Sequence, residues 1–197
     1  MNETIKSILE RRTIRRYKPE QIAEEILKAI LEAGLYAPNA GGKQSCVMVV
    51  CQDAALNEKL GKINKSVMAD VLEERGMTPK PGTVSAEQPS ILDDSSIKSA
   101  FYGAPTVVTL FASKAYNQTG DCFVAAQNIM LAAHALGVGS CIVARAVETF
   151  SSEEGQNIQK EWGLDEHFEA KVHITLGYPD GNKPLAKPRK DDRIKRI

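Results

Sequence analysis

Five basic residues and no acid stand between positions 11 and 18: Arg11, Arg12, Arg15, Arg16 and Lys18, with the hydroxyl of Thr13 among them. A second basic group, Lys187-Pro188-Arg189-Lys190, lies near the other end of the chain. Lys and Arg together number 25, as do Asp and Glu, so the formal net charge is zero and the positive field is local. Local cations on a folded domain suit a small anion, since guanidinium forks and a hydroxyl match the oxygens of a phosphate. Charge alone equally admits a solvated basic face or an arm.

Other chemistry-bearing residues offer less. Gly41-Gly42-Lys43 hints at a phosphate loop, but Ala37 stands where the first glycine is required and Gln44 where Ser or Thr is required. His134, His167 and His173 have no metal-ligand spacing, and neither do Cys46, Cys51, Cys122 and Cys141, so no metal site is expected. Cys46 and Cys51 are five apart on one expected strand and point to opposite faces, which argues against a local dithiol. Reduced, mostly buried thiols and a cytoplasmic setting are the expectation. Trp162 reads as packing at the end of an amphipathic helix. The neutral balance, and basic clusters without interleaved aromatics, argue against nucleic-acid binding.

The elements that must position these residues alternate without a dividing linker. A chain of 197 residues, 43% hydrophobic and 25% charged, fits one domain. No run is apolar enough to span a bilayer, and Met1-Asn2-Glu3 does not begin a signal peptide. Ile22, Ile26, Leu27, Ile30 and Leu31 form the stripe of a helix over residues 20–35. The loop Ala37-Pro38-Asn39-Ala40-Gly41-Gly42-Lys43-Gln44 feeds a strand at 47–50. Asp53 is an expected N-cap for a helix carrying Leu56, Leu60 and Ile63, with a second helix after it carrying Val67, Met68, Val71 and Leu72. Residues 76–95 show no period and read as a long loop.

A strand is expected at 106–111, and then a helix from Asp121 to Leu136 with almost no polar face. A helix apolar all round belongs at a domain centre or in a dimer interface. A strand at 140–143 follows, then a helix capped at Ser151-Ser152-Glu153-Glu154. Residues 171–178 alternate as a strand with one buried face. The segment 179–197 reads as an extended basic tail.

Five segments in order resemble the nitroreductase family of FMN-dependent oxidoreductases: Arg11-Arg12-Thr13-Ile14-Arg15, Ala37-Pro38-Asn39-Ala40-Gly41-Gly42-Lys43-Gln44, Gly103-Ala104-Pro105, Leu136-Gly137-Val138-Gly139-Ser140-Cys141, and Lys187-Pro188-Arg189. The resemblance implies an α+β fold: a mixed, mainly antiparallel central sheet packed among helices, built as an intertwined homodimer with two flavins at the interface. It also implies that Arg11, Thr13, Lys187 and Arg189 converge on the FMN phosphate, with Arg12 adding a contact. Arg15 is expected at the N1–O2 edge of the ring, where a cation tunes the cofactor electrostatically. Pro38, Asn39 and Ala40 are expected over the flavin of the partner chain, and Gln44 is expected to reach the flavin of its own. Ile142, Val143 and Ala144 match the backbone stretch along the isoalloxazine; they read equally as strand core.

The sequence also departs from that family. Gly42-Lys43-Gln44-Ser45-Cys46 stands where many relatives have Asn-x-Gln-Pro-Trp, and Ala144-Arg145 where well-known members have Glu-Gly. Arg145 reads either as an anion anchor on the substrate side or as a surface ion pair. The activity implied is reduction of FMN by NADH or NADPH, followed by electron transfer to a nitroaromatic, quinone or related acceptor. A flavin reductase, a dehalogenase-like or flavin-destroying enzyme, and a flavin-binding sensor or store are the alternatives.

Overall fold

The computed structural model describes residues 1–77, 86–113 and 118–197. Within them lie helices α1 (Glu3–Glu10), α2 (Glu24–Leu35), α3 (Ala54–Glu74), α4 (Thr119–Ala135), α5 (Ala146–Ser151) and α6 (Glu153–Glu161), and strands β1 (Val47–Cys51), β2 (Thr106–Ser113), β3 (Gly139–Val143) and β4 (Phe168–Gly177). The strands form one sheet in the order β1-β2-β4-β3, every pair antiparallel. An isolated bridge joins Thr13 to Ser140 in the parallel sense, so the α+β, mainly antiparallel expectation holds. Residues 78–85, the middle of the expected 76–95 loop, lie outside the described residues.

Side-chain alternation splits the core into two layers, one on each face of the sheet. Val108, Leu110, Ala112, Val172, Ile174 and Leu176 pack against Leu27 and Ile30 of α2 and Ala126 and Ile129 of α4. Val107, Phe111, Cys141, Val143 and Ala170 face the other way, toward Leu60 of α3, Phe150 of α5 and Ile158 of α6. A register shift pairs Leu110 with Val172 but Phe111 with Ala170, and this bulge at Lys171 moves Ala170 to the second layer. Strand β4 therefore has both faces covered, where alternation had suggested one. His173 and Thr175, its apparently solvent-facing residues, are fully buried.

Three further expectations are corrected. Residues 54–74 form one helix, because Leu56, Leu60, Ile63 and Val67 keep a continuous stripe through the supposed break. Asn64, a poor helix former at that break, is anchored by donating to Ala144 O (2.8 Å) and Thr149 Oγ1 (2.9 Å). Helix α2 begins at Glu24; Ile22 is buried from the preceding coil. The cap of α6 is Ser152, whose Oγ accepts from Gly155 N at 3.1 Å, so Ser151 is not the capping residue.

Helix α4 is the centre of the first layer. Cys122, Ala125, Ala126, Ile129, Met130 and Ala133 are buried. Phe123 and Val124 are exposed at 41% and 40%. The apolar residues thus serve two faces, one inside this chain and one open. Helix α2 crosses α4 at Gly34, where a Cβ would fall 2.7 Å from Ile129 Cγ1, so only glycine permits this approach.

Candidate functional site

The N-terminal basic segment is laid along the end of the sheet by backbone bonds. Ile14 N donates to Ser140 O (3.0 Å) and Lys18 N to Tyr178 O (2.9 Å), while Asp180 N donates to Arg16 O (2.9 Å). Gly139 makes room for this strap, since a Cβ there would meet Ile14 at 2.9 Å. The strap fixes Arg11, Thr13 and Arg15 beside the outer edge of β3.

Gln88, which no sequence period singled out, holds the strap from the other side. Its buried Oε1 accepts from Arg15 N (2.6 Å) and Arg16 N (2.8 Å). Its Nε2 donates to Asp180 O (3.2 Å), and its own carbonyl accepts from Arg15 Nη1 (3.1 Å). The Arg15 guanidinium lies 5.8 Å from the ring centroid of Tyr102, at the border of a cavity of about 220 Å³. A larger cavity of about 290 Å³, between α5, α6 and β4, shares no residue with the strap.

The electrostatics of this end are those of an anion site. Arg11 Nη1, Arg15 Nε and Ser140 Oγ are buried without a hydrogen-bond partner. Burial lowers the pKa of Arg11, with Arg12 adding to the effect while Cys141 opposes it. Burial also lowers the pKa of His134, and Lys183, Arg11 and Arg12 push it further down. The start of the tail thus returns to the N-terminal cluster. Buried donors without acceptors are costly, and a ligand rich in oxygen acceptors fits the requirement. Arg12 Nε is buried without a partner as well, and Arg12 has a structural role besides. Its Nη1 donates to Leu9 O and Arg11 O, both at 2.7 Å, closing the end of α1.

Along β3 the expected ring-supporting residues alternate. Ile142 and Ala144 are exposed on one side, while Val143 is buried in the second core layer. Val143 is thus strand core, while Ile142 and Ala144 present an open surface beside it. Arg145 then takes a left-handed backbone (φ 64°), a conformation easy for the glycine expected there. Its Nη2 donates to Asn64 Oδ1 at 3.3 Å and its Nε is buried and unpaired, so it is not a surface ion pair. Asn64 is spent holding this turn, with no exposure.

The loop residues form a second group, at the other end of α4. Ala40 N donates to both carboxylate oxygens of Asp121 (3.2 Å each), and Gln44 N donates to Asn39 Oδ1 at 2.8 Å. Pro38, Ala40 and Gln44 are exposed, with Gln44 at φ 49°. The arginines approach the far end of that helix, at His134. Helix α4 has 17 residues and therefore spans about 25 Å. Gln44 thus sits with Pro38, Asn39 and Ala40, at the opposite end of α4 from Arg11 and Arg12. Lys187 and Arg189 are exposed in the coil after β4.

The "Nitroreductase family" pattern matches residues 8–178, spanning the strap, the loop and the whole sheet. The chain belongs to the nitroreductase family. Among its relatives, Nitroreductase NfnB of Mycolicibacterium smegmatis is 30% identical over 196 residues, covering 86% of this chain and 80% of that protein. The NADPH-flavin oxidoreductase of Vibrio harveyi is 25% identical over 191 residues, covering 96% of this chain and 70% of that one. A Bacteroides fragilis nitroreductase solved with bound FMN superposes with a TM-score of 0.81 at 27% identity, over 100% of both chains. Other members of the family therefore share this architecture from end to end.

Proposed function

We propose that this nitroreductase is an FMN-dependent NAD(P)H oxidoreductase, reduced by the nicotinamide nucleotide and reoxidised by a nitroaromatic, quinone or related acceptor in the same pocket. The observation that carries the reading is the set of buried, unpartnered donors on Arg11, Arg15 and Ser140 beside the open face of β3. Arg11 and Thr13, with Lys187 and Arg189 from the tail, hold the phosphate; Arg12 acts by closing α1. Arg15, fixed by Gln88 and Tyr102, faces the N1–O2 edge of the ring. Ile142 and Ala144 form the surface on which the ring rests. When bound, FMN supplies the hydride chemistry. No side chain is assigned a proton transfer.

The two groups of site residues, at opposite ends of α4, favour a homodimer in which Pro38, Asn39, Ala40 and Gln44 of one chain cover the flavin held by the arginines of the other. The exposed Tyr36, Phe123, Val124 and Leu136 supply apolar area for that contact. A reduced cytoplasmic setting suits both the cofactor and the thiols. Arg145, cationic and half-buried where relatives carry glycine, favours acceptors bearing an acidic group. The test is anaerobic. Flavin released from the purified protein should run as FMN, one per chain, and NADH or NADPH should bleach the bound flavin until an acceptor restores it. Released FAD, or bound flavin that neither nucleotide reduces, would overturn the reading.

A further inference from the structure

Cys46 and Cys122 lie 76 residues apart in sequence, yet their Sγ atoms are 3.3 Å apart. We propose that they are a redox-active pair, which a peroxide converts to an intrachain disulfide that fastens the Pro38–Gln44 loop to the start of α4. A disulfide requires about 2.05 Å between sulfurs, so the two atoms must close by about 1.3 Å. Cys46 is half-buried and adjoins the small groove lined by Pro38, Asn39, Gln44 and Asp121, while Cys122 has no exposure. The outer sulfur is therefore the one a peroxide reaches, and the inner sulfur is the one that resolves it.

The pair is placed where a crosslink would have an effect. Asp121, the neighbour of Cys122, already clamps Ala40 N through its carboxylate, and Cys46 follows Gln44 by two residues. A bond between the sulfurs would hold the same loop covalently at its far end. The polarity of the pair favours the order of events. The hydrogen bond from Cys122 lowers the pKa of Cys46, and sharing that proton raises the pKa of Cys122, with burial adding to the rise. Of the charged groups facing them, Asp121 opposes ionisation of both and Lys171 favours that of Cys122.

The chemistry balances with hydrogen peroxide as oxidant. The Cys46 thiolate attacks one peroxide oxygen, the O–O bond breaks, and hydroxide leaves, giving a sulfenic acid. Cys122 gives its proton to that hydroxide, its sulfur displaces a second hydroxide from Cys46, and this one takes up the proton that Cys46 released on ionising. Two thiols and one peroxide become one disulfide and two waters.

The experiment counts thiols in the purified, flavin-loaded protein before and after hydrogen peroxide treatment, followed by peptide mapping. The expected result is a fall from four thiols per chain to two, a Cys46–Cys122 linked peptide, and full recovery with dithiothreitol. Cys46→Ser, a change at a half-buried position, should keep its remaining three thiols under the same dose. In the parent, hydrogen exchange at Ala40 and Gln44 should slow about threefold or more on oxidation. Four surviving thiols, Cys46 driven to sulfinic acid, or a link between chains would overturn the pairing. Unchanged exchange in the linked protein would overturn the fastening. None of these failures touches the FMN assignment, because neither thiol is among the residues that hold the cofactor.

Discussion

Arg11 and Arg15 sit four residues apart on one strap, and the proposed function assigns them to different parts of FMN, a difference that can be measured. Arg11 Nη1 is a buried donor without a partner, which the proposed function gives to the phosphate. Arg11→Ala should weaken FMN binding about tenfold or more and leave riboflavin binding nearly unchanged, because a charge-assisted bond is worth about 1.5–3 kcal/mol. Equal losses for the two flavins in parallel titrations would remove Arg11 from the phosphate. In the proposed arrangement Arg15 faces the ring edge where negative charge gathers on reduction, and a cation there favours the reduced form. Spectroelectrochemistry on FMN-saturated Arg15→Ala should therefore find a lower potential than the parent; an unchanged one would refute the placement.

A different residue is expected to make stability depend on pH in acid. His173 is fully buried, bonded through Nδ1 to Thr109 Oγ1 (2.9 Å), with Nε2 unpaired. Burial, with Arg145 adding to it, drops its pKa to about 3. The folded state thus binds the proton more weakly than the unfolded chain does. The stability conferred by neutral His173 is complete above about pH 6.5 and is lost as pH falls toward 3. Across that window it should contribute a slope of up to about 1.4 kcal/mol per pH unit. Urea unfolding at pH 7 and pH 5 should show His173→Gln losing less stability than the parent. Equal losses would show that His173 is not the titrating group; His134, whose pKa is also lowered, is unchanged in both proteins.

At the scale of elements, the close crossing of α2 and α4 sets the first core layer. Gly34→Val would press a branched side chain into Ile129 and Met48, costing about 1–3 kcal/mol and lowering the melting temperature by several degrees. An unshifted melting curve would mean that the helices can part at no cost. Most elements were legible because periodicity and caps are local: Asp53 caps α3, its carboxylate accepting from Leu56 N at 2.9 Å, as its sequence position implied. Strand β4 misled because its polar residues are buried and partnered: Thr175 donates to Cys141 O at 3.2 Å, and His173 pairs with Thr109. Alternation reports polarity, not exposure. The arginines of the site could be read from type and spacing. Gln88 and the Cys46–Cys122 pair could not, since each is defined by a partner more than 70 residues away in sequence.

At the scale of the whole molecule, one chain leaves both site groups half-covered and an apolar face on α4 open. Sedimentation velocity at low micromolar concentration should find a dimer, with an interface large and hydrophobic enough to persist on dilution. A folded, flavin-loaded monomer would contradict the shared site. Among the described residues no helix is long and apolar enough to cross a membrane.

Gln88 ties three distant stretches at one point: the strap at Arg15 and Arg16, its own segment, and the residues just past β4, at sequence separations of 72 to 94. During synthesis the strap is made first, but its clasp is incomplete until Asp180 and Asn182 have emerged. The sheet shares this delay, because β4, made last, lies between β2 and β3. Closure of the proposed cofactor site is therefore expected late in folding, and a nascent chain stalled before residue 180 would carry every arginine of the strap with the Gln88 clasp still open toward the tail.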